Sequence, residues 1–245
     1  MWRYFISIIL IATGFWGKLQ AQDTIVFPLK FRVGFDLVGA SKYFYEKDKA
    51  NIEVFFSADL NEKLSGIFIA GRSDYTYSRY RDASFMMYDF NAKGFYVKTG
   101  VDFNLFNPKK SAGKYSFGVG FRYGIANYSY GFPKINFENY WGAYQTSIPK
   151  NRAWANYLEA TPAIRAEVIK NISLGWSVSL RKMIFAGTGK DMKPIYLPGY
   201  GDGSKSFSFA LSYFIIWSMP YKEKRVIVKP RYYDEEQEGV NNSNQ

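Results

Sequence analysis

The 245-residue chain contains no cysteine and no histidine. Without cysteine there is no thiolate nucleophile, no disulfide framework and no Cys-based zinc site. Without histidine there is no Ser-His-Asp triad, no HExxH helix and no side chain that ordinarily titrates near neutral pH. Long apolar runs are also scarce: beyond the N-terminus no stretch reaches the about 20 residues that a spanning helix needs. Acidic residues are outnumbered, 21 Asp and Glu against 32 Lys and Arg, for a net charge of +11. What the chain has in excess is rings. Aromatic residues make up 20% of it while the mean hydropathy is only −0.25. A chain rich in rings yet polar on average suits strands that alternate between two environments better than it suits buried helices.

The start of the chain reads as a secretory signal over residues 1–21. Met1 to Tyr4 form a short basic head, Phe5 to Trp16 an apolar segment, and Ala21 a small residue at the cut. The alternative, a membrane anchor, is disfavoured by the shortness of the run. No Cys follows the cut, so the chain is not read as a lipoprotein. Residues 22–30 then form a short lead, 31–219 a barrel and 220–245 a flexible tail.

Within 31–219 one pattern recurs eight times: about ten residues alternate apolar and polar, the length of a tilted membrane strand, and then break. The segments are 31–38, 51–60, 64–77, 94–105, 115–128, 155–168, 172–180 and 206–217. The clearest is the fifth, where Tyr115, Phe117, Val119, Phe121, Tyr123 and Ile125 oppose Ser116, Gly118, Gly120, Arg122 and Gly124. Connections alternate long, short, long, short. The long ones are 39–50, 78–93, 131–152 and 182–205, and they are net basic. This is the organisation of an all-β, eight-stranded antiparallel transmembrane barrel with short periplasmic turns, long extracellular loops and both termini in the periplasm. A soluble lipocalin-like barrel also alternates, but its apolar face points inward, and eight strands of such large rings would overfill it.

If the polar faces point inward, they bring together Arg32, Asp36, Glu53, Asp59, Lys98, Asp102, Arg122, Glu159, Arg165, Glu167 and Arg181. Five cations and six anions are close to the balance that a packed interior requires, because an unpaired charge out of water costs several kcal/mol. Eight strands leave a lumen just wide enough for side chains, so this set is expected to form a structural ion-pair network with no open channel. Glu159 and Glu167 stand too far apart along a strand to act as a catalytic pair. Ser179 and Lys182 are the only near neighbours that could form a Ser-Lys pair, and no third group accompanies them. No catalytic residue, metal ligand or cofactor is expected.

Three groups remain as candidate contacts. Pro194 to Gly203 carries Tyr196, Leu197 and Tyr200 among two prolines and three glycines, a composition that fixes turns and presents rings, either to a partner or to its own barrel rim. The 131–152 connection adds Tyr140, Trp141 and Tyr144. In the tail, Val226, Ile227 and Val228 could add as a strand to a periplasmic partner. The net positive charge suits a rim beside anionic lipid headgroups and lipopolysaccharide, and nucleic-acid binding is not expected.

The segments FGVGFRYG (117–124), NYLEATPAIRAEV (156–168), LGWSVSL (174–180) and YLPGYG (196–201) resemble an uncharacterised outer-membrane β-barrel family of the Bacteroidota, over roughly residues 28–220. The resemblance implies an outer-membrane location and offers no activity and no catalytic residue to carry over. The tail beyond Pro220 departs from the family core. A plugged barrel with ring-rich loops has surfaces to offer, so the expected role is that of an accessory subunit of a larger outer-membrane complex for protein insertion, export or uptake. The alternative is a free-standing barrel that binds an external ligand or stabilises the envelope.

Overall fold

The computed structural model describes residues 23–45, 48–81, 86–106, 111, 113–187 and 193–228. The signal segment and residues 229–245 lie outside them. In chain order the elements are β1 (Asp23–Asp36), α1 (Leu37–Tyr45), β2 (Lys49–Asp59), β3 (Leu64–Tyr80), β4 (Met86–Asn104), β5 (Tyr115–Asn139), β6 (Gly142–Ile169), β7 (Ile172–Ala186), β8 (Tyr196–Leu197), β9 (Gly201–Asp202) and β10 (Phe207–Val228). Eight of the strands close into a ring in the order β1-β10-β7-β6-β5-β4-β3-β2, and β8 pairs with β9 in a separate two-stranded sheet. Phe27–Lys224 forms one compact unit, while the described residues 23–26 and 225–228 belong to a second.

The alternation read from the sequence sets the two faces of the wall. Phe31, Val33, Phe56, Val97, Phe121, Ile125, Val178 and Leu211 are exposed on the outside, and Arg32, Glu53, Lys98, Arg122, Glu159 and Arg181 are buried inside. A strand that turns every second side chain the same way allows no other outcome once one face is chosen. The outer apolar residues of β10 run from Phe207 to Trp217, which at about 3.4 Å per residue and about 40° of tilt makes a band roughly 26 Å tall. Cations lie over rings at its loop end: Arg72 stands 5.2 Å from the Phe95 ring centre and Lys182 5.7 Å from that of Phe207. Such a surface is suited to lipid hydrocarbon with snorkelling cations at its border. Phe121→Arg, placed in this belt, is therefore expected to destabilise the folded barrel by about 2–4 kcal/mol in bilayers, read as a lowered denaturant midpoint. An unchanged midpoint would favour a water-facing wall.

Several boundaries differ from those expected. β1 begins at Asp23, so the lead is strand, and β10 runs through Pro220 to Val228, so the first part of the tail is strand as well. Tyr221 explains the extension. Its ring stacks on Phe31 at 4.3 Å and its hydroxyl donates to the Asp59 carbonyl. Lys224 Nζ adds an ion pair to Glu62 at 2.7 Å. The 39–50 connection contains α1, which Asp36 caps by accepting the Val38 and Gly39 N–H groups, each at 3.1 Å.

The largest change is at 131–152. β5 and β6 continue as one hairpin, in register to Asn139↔Gly142, with only Tyr140 and Trp141 at the turn. Pro133 and Pro149 are accommodated within the strands: the ladder shifts register twice between Tyr130 and Ile135, and such bulges tolerate proline. Near the tip both faces of the hairpin are exposed, so no alternation marks it in the sequence. β3 reverses the expected facing. Ile67 and Ile69 point inward and Phe68 outward, because the isoleucines pack with Phe55, Phe214 and Ile216 in an apolar interior cluster.

Candidate functional site: the interior and the projecting hairpin

The centre of the lumen is organised by Glu159. Its carboxylate receives Arg181 Nε at 2.7 Å, Arg122 Nη1 at 3.1 Å and Lys98 Nζ at 3.2 Å, with Thr161 Oγ1 donating at 3.0 Å. Lys98 also reaches Glu53 at 2.9 Å, and Arg122 reaches Asp102 at 3.2 Å. Three guanidinium or ammonium groups on one carboxylate satisfy both its oxygens and hold β4, β5, β6 and β7 together across the lumen. Nearer the turns a second group forms: Arg32 makes a two-pronged pair with Asp59, and Lys30 pairs with Glu167 at 2.6 Å.

Nine of the eleven residues expected in the network are thus ion-paired. The other two are not. Asp36 has no ion pair among the described residues. It caps α1 and accepts the Tyr213 N–H at 3.3 Å, so backbone donors do the work of a cation. Arg165 lines a cavity and has no hydrogen bond or ion pair with the described residues. Lys30 was missed because it was assigned to the lead, although it lies two residues before Arg32 and so on the same face.

The interior also holds rings that the polar faces did not advertise. Tyr96, Tyr128, Tyr130 and Tyr157 are fully buried. Three inward glycines face rings across the ladder, in the pairs Gly34↔Phe55, Gly71↔Tyr96 and Gly124↔Tyr157. A Cβ on any of them would lie within 2.4 Å of the opposed ring. Each glycine therefore makes the space into which its cross-strand partner folds. The signal was present as glycine opposite aromatic, but reading it requires the register.

The 194–203 segment does not form an exposed contact surface. Leu197 and Tyr200 have 0% exposure and Tyr196 is half-buried. The segment folds into the loop end of the lumen as a plug. Leu197-Pro198-Gly199-Tyr200 is a tight turn in which the Tyr200 N–H donates to the Leu197 carbonyl at 3.1 Å and Gly199 takes φ +71°. Proline followed by a left-handed glycine is the type II combination. Tyr196 stacks on Tyr75 at 4.2 Å and hydrogen-bonds Ser73 at 2.9 Å, and Arg181 Nη1 donates to the Tyr200 carbonyl at 3.1 Å. The plug is thereby tied to the Glu159 cluster. Its rings are buried because the wall strands supply the aromatic surface against which they pack, which no local reading reveals.

Tyr140, Trp141 and Tyr144 are exposed. Tyr140 is 92% and Trp141 81% exposed, their rings meeting edge to face at 5.2 Å. Phe137 lies directly across the ladder from Tyr144 and is exposed with it, whereas Phe132 is buried in the lumen. The β4–β5 ladder ends at Tyr88↔Ile135 and the β6–β7 ladder at Ala155↔Ala186, so among the described residues the hairpin runs on past both ladders from Asn136 to Gln145, touched by Met86 through Asn136 and by Arg81 through Glu138. Val226 is half-buried; the side chains of Ile227 and Val228 lie outside the described residues.

Ser179 and Lys182 do not form a pair. Ser179 points inward and hydrogen-bonds Thr161 at 3.2 Å, whereas Lys182 is on the outer face over Phe207. Their odd separation places them on opposite sides of the wall.

The geometry defines a small antiparallel barrel with an apolar outer belt and an interior closed by ion pairs and a plug. The chain belongs to a family described as Domain of unknown function (DUF6048), which matches residues 1–224. Among solved structures it is similar to Ail, the attachment invasion locus protein of Yersinia pestis, with 8% identity over 80% of this chain and 97% of that one and a TM-score of 0.36. It is also similar to CarO of Acinetobacter baumannii, with 12% identity over 80% and 98% of the two chains and a TM-score of 0.40. No curated protein matches.

Proposed function

We propose that this protein is a non-enzymatic outer-membrane barrel of a Gram-negative bacterium that serves as an accessory or structural subunit of a larger outer-membrane complex. The observation that carries the reading is the β5–β6 hairpin, which runs on past the ladders to its neighbours and ends in the exposed Tyr140 and Trp141. Large rings held on a stiff two-stranded arm offer contact area at low entropic cost. Among the described residues, β6 from Gly142 to Ala153 has no ladder partner on β7, and an edge of that kind favours strand addition by a partner. In this reading the signal segment directs export, the short turns and both termini face the periplasm, and lipid and lipopolysaccharide surround the belt. The Bacteroidota origin implied by the resemblance, and a machine for insertion, export or uptake, belong to the same proposal. The second reading, a free-standing barrel that binds an external ligand or stabilises the envelope, rests on the closed interior.

Replacing residues 137–144 with Asn-Gly keeps the Asn136↔Gln145 pair and shortens the arm. Co-purification in mild detergent is expected to yield a stoichiometric membrane partner with the native chain and at least about tenfold less with the short arm, a difference of about 1.4 kcal/mol. A native chain that purifies as a lone monomer would support the second reading. A tail contact through Val226, Ile227 and Val228 is tested separately by removing residues 226–245, a cut that spares Tyr221 and Lys224, which belong to the barrel seam.

A further inference from the structure

Near the turn end, inside the wall, lies a cavity of about 100 Å³. One side is apolar, formed by Phe55, Ile67, Phe214 and Ile216. The polar residues of its lining include three arginines, Arg32, Arg122 and Arg165, and three acids, Asp59, Asp102 and Glu62. The acids around it are already taken. Asp59 holds Arg32, Asp102 shares Arg122 with Glu159, Glu167 holds Lys30, and Glu62 at the rim holds Lys224.

Arg165 is the cation left over. Its direct neighbours across the two ladders are Ser116 and Gly175, neither of them acidic. It has no hydrogen bond or ion pair with the described residues, and the exposure it retains is toward the cavity that it lines. Arg122, itself 93% removed from solvent, has a buried Nε with no partner. With Lys30 the interior cations number six against six anions, and that even count conceals the excess, because Asp36 is satisfied by backbone N–H groups at the opposite end of the barrel. An unpaired guanidinium in a low-dielectric site is costly, and an arriving carboxylate removes that cost with two parallel hydrogen bonds.

We propose that this cavity binds a small organic carboxylate, its anionic head on Arg165 and its apolar body against Phe55, Ile67, Phe214 and Ile216. The volume suits this class. It is several times the space of one water and near that of apolar cavities which accept a single benzene-sized molecule. The apolar wall favours an organic acid over inorganic phosphate, which would leave that wall facing a fully hydrated ion.

The test is calorimetric titration of the full chain, folded in zwitterionic detergent, with benzoate, inorganic phosphate and benzylamine. Saturable binding of benzoate at one site per chain is expected, with phosphate weaker and benzylamine silent. Arg165→Gln is expected to weaken benzoate at least tenfold. Ser177→Leu fills the cavity while leaving every charge in place, and is expected to do the same. Retention of the compact, heat-modifiable band on gels confirms that each variant has folded. Benzoate binding that is absent from the native chain, equal in Arg165→Gln, retained in Ser177→Leu or no tighter than that of phosphate would overturn the proposal.

Discussion

Glu159→Ala is expected to be the most damaging single substitution in the barrel. It removes one carboxylate and leaves the buried Lys98, Arg122 and Arg181 facing one another, with only Glu53 and Asp102 to share among them. Breaking a buried pair by removing one partner costs about 3–5 kcal/mol, and here three partners lose it at once. The cost is that of uncompensated charge, so Glu159→Gln, which keeps acceptor capacity but no charge, should also be severe. Two comparisons separate this from a general effect of losing an acid. Glu167→Ala breaks one pair near the turn end and should cost less. Glu138→Ala breaks an exposed pair with Arg81, of the kind that contributes about 0–1 kcal/mol, and should be close to silent. The measurement is the denaturant midpoint for unfolding from lipid vesicles, followed by the heat-modifiable shift on gels. Equal midpoints for the alanine variants at 159 and 138 would refute the central role of this carboxylate.

Gly199→Leu is expected to expel the plug while leaving the wall standing. Gly199 adopts φ +71°, where a β-carbon is strained, and any β-carbon would lie 2.5 Å from the Tyr96 ring and 2.6 Å from the Tyr157 hydroxyl. A leucine there meets both problems, and overpacking alone costs about 1–3 kcal/mol. The eight wall strands make their ladders without β8 and β9, so the barrel has no need of the plug for closure. The expected result is a barrel that still shifts on heating but is cut by protease between residues 194 and 205, where the native chain resists. Resistance equal to native would mean that the segment is not held by the turn at Gly199. Its release also frees Arg181 Nη1 from the Tyr200 carbonyl, so a modest fall in the unfolding midpoint should accompany the cleavage.

How much of this was legible beforehand depends on the range over which each feature is determined. The alternation of Phe95, Val97 and Val101 with Lys98 and Asp102 is a property of the strand itself, and it placed the wall's two faces correctly for seven of the eight segments. β3 failed the rule because its isoleucines answer to Phe55 and Phe214, which lie on other strands. The buried acids and bases were legible as a set, since a charge inside an apolar-coated barrel must be paired. The partners were not legible: Lys30 meets Glu167 across 137 positions of sequence. The choice between a partner and the barrel itself for the 194–203 rings was not legible for the same reason. A run such as Tyr196-Leu197-Pro198-Gly199-Tyr200 specifies its turn, but whether its rings face outward or inward depends on Tyr75 and Tyr157, which receive them.

By itself, then, the sequence determined that this is an all-β chain of eight alternating strands with a balanced polar interior, because period-two patterning and the cost of buried charge act locally or in total. The tertiary structure decided which charge found a partner, which glycine made room for which ring, that the plug enters the loop end, and that Arg165 was left facing a cavity. Those outcomes depend on register between strands distant in the chain, and register is a property of the closed ring that no single segment contains.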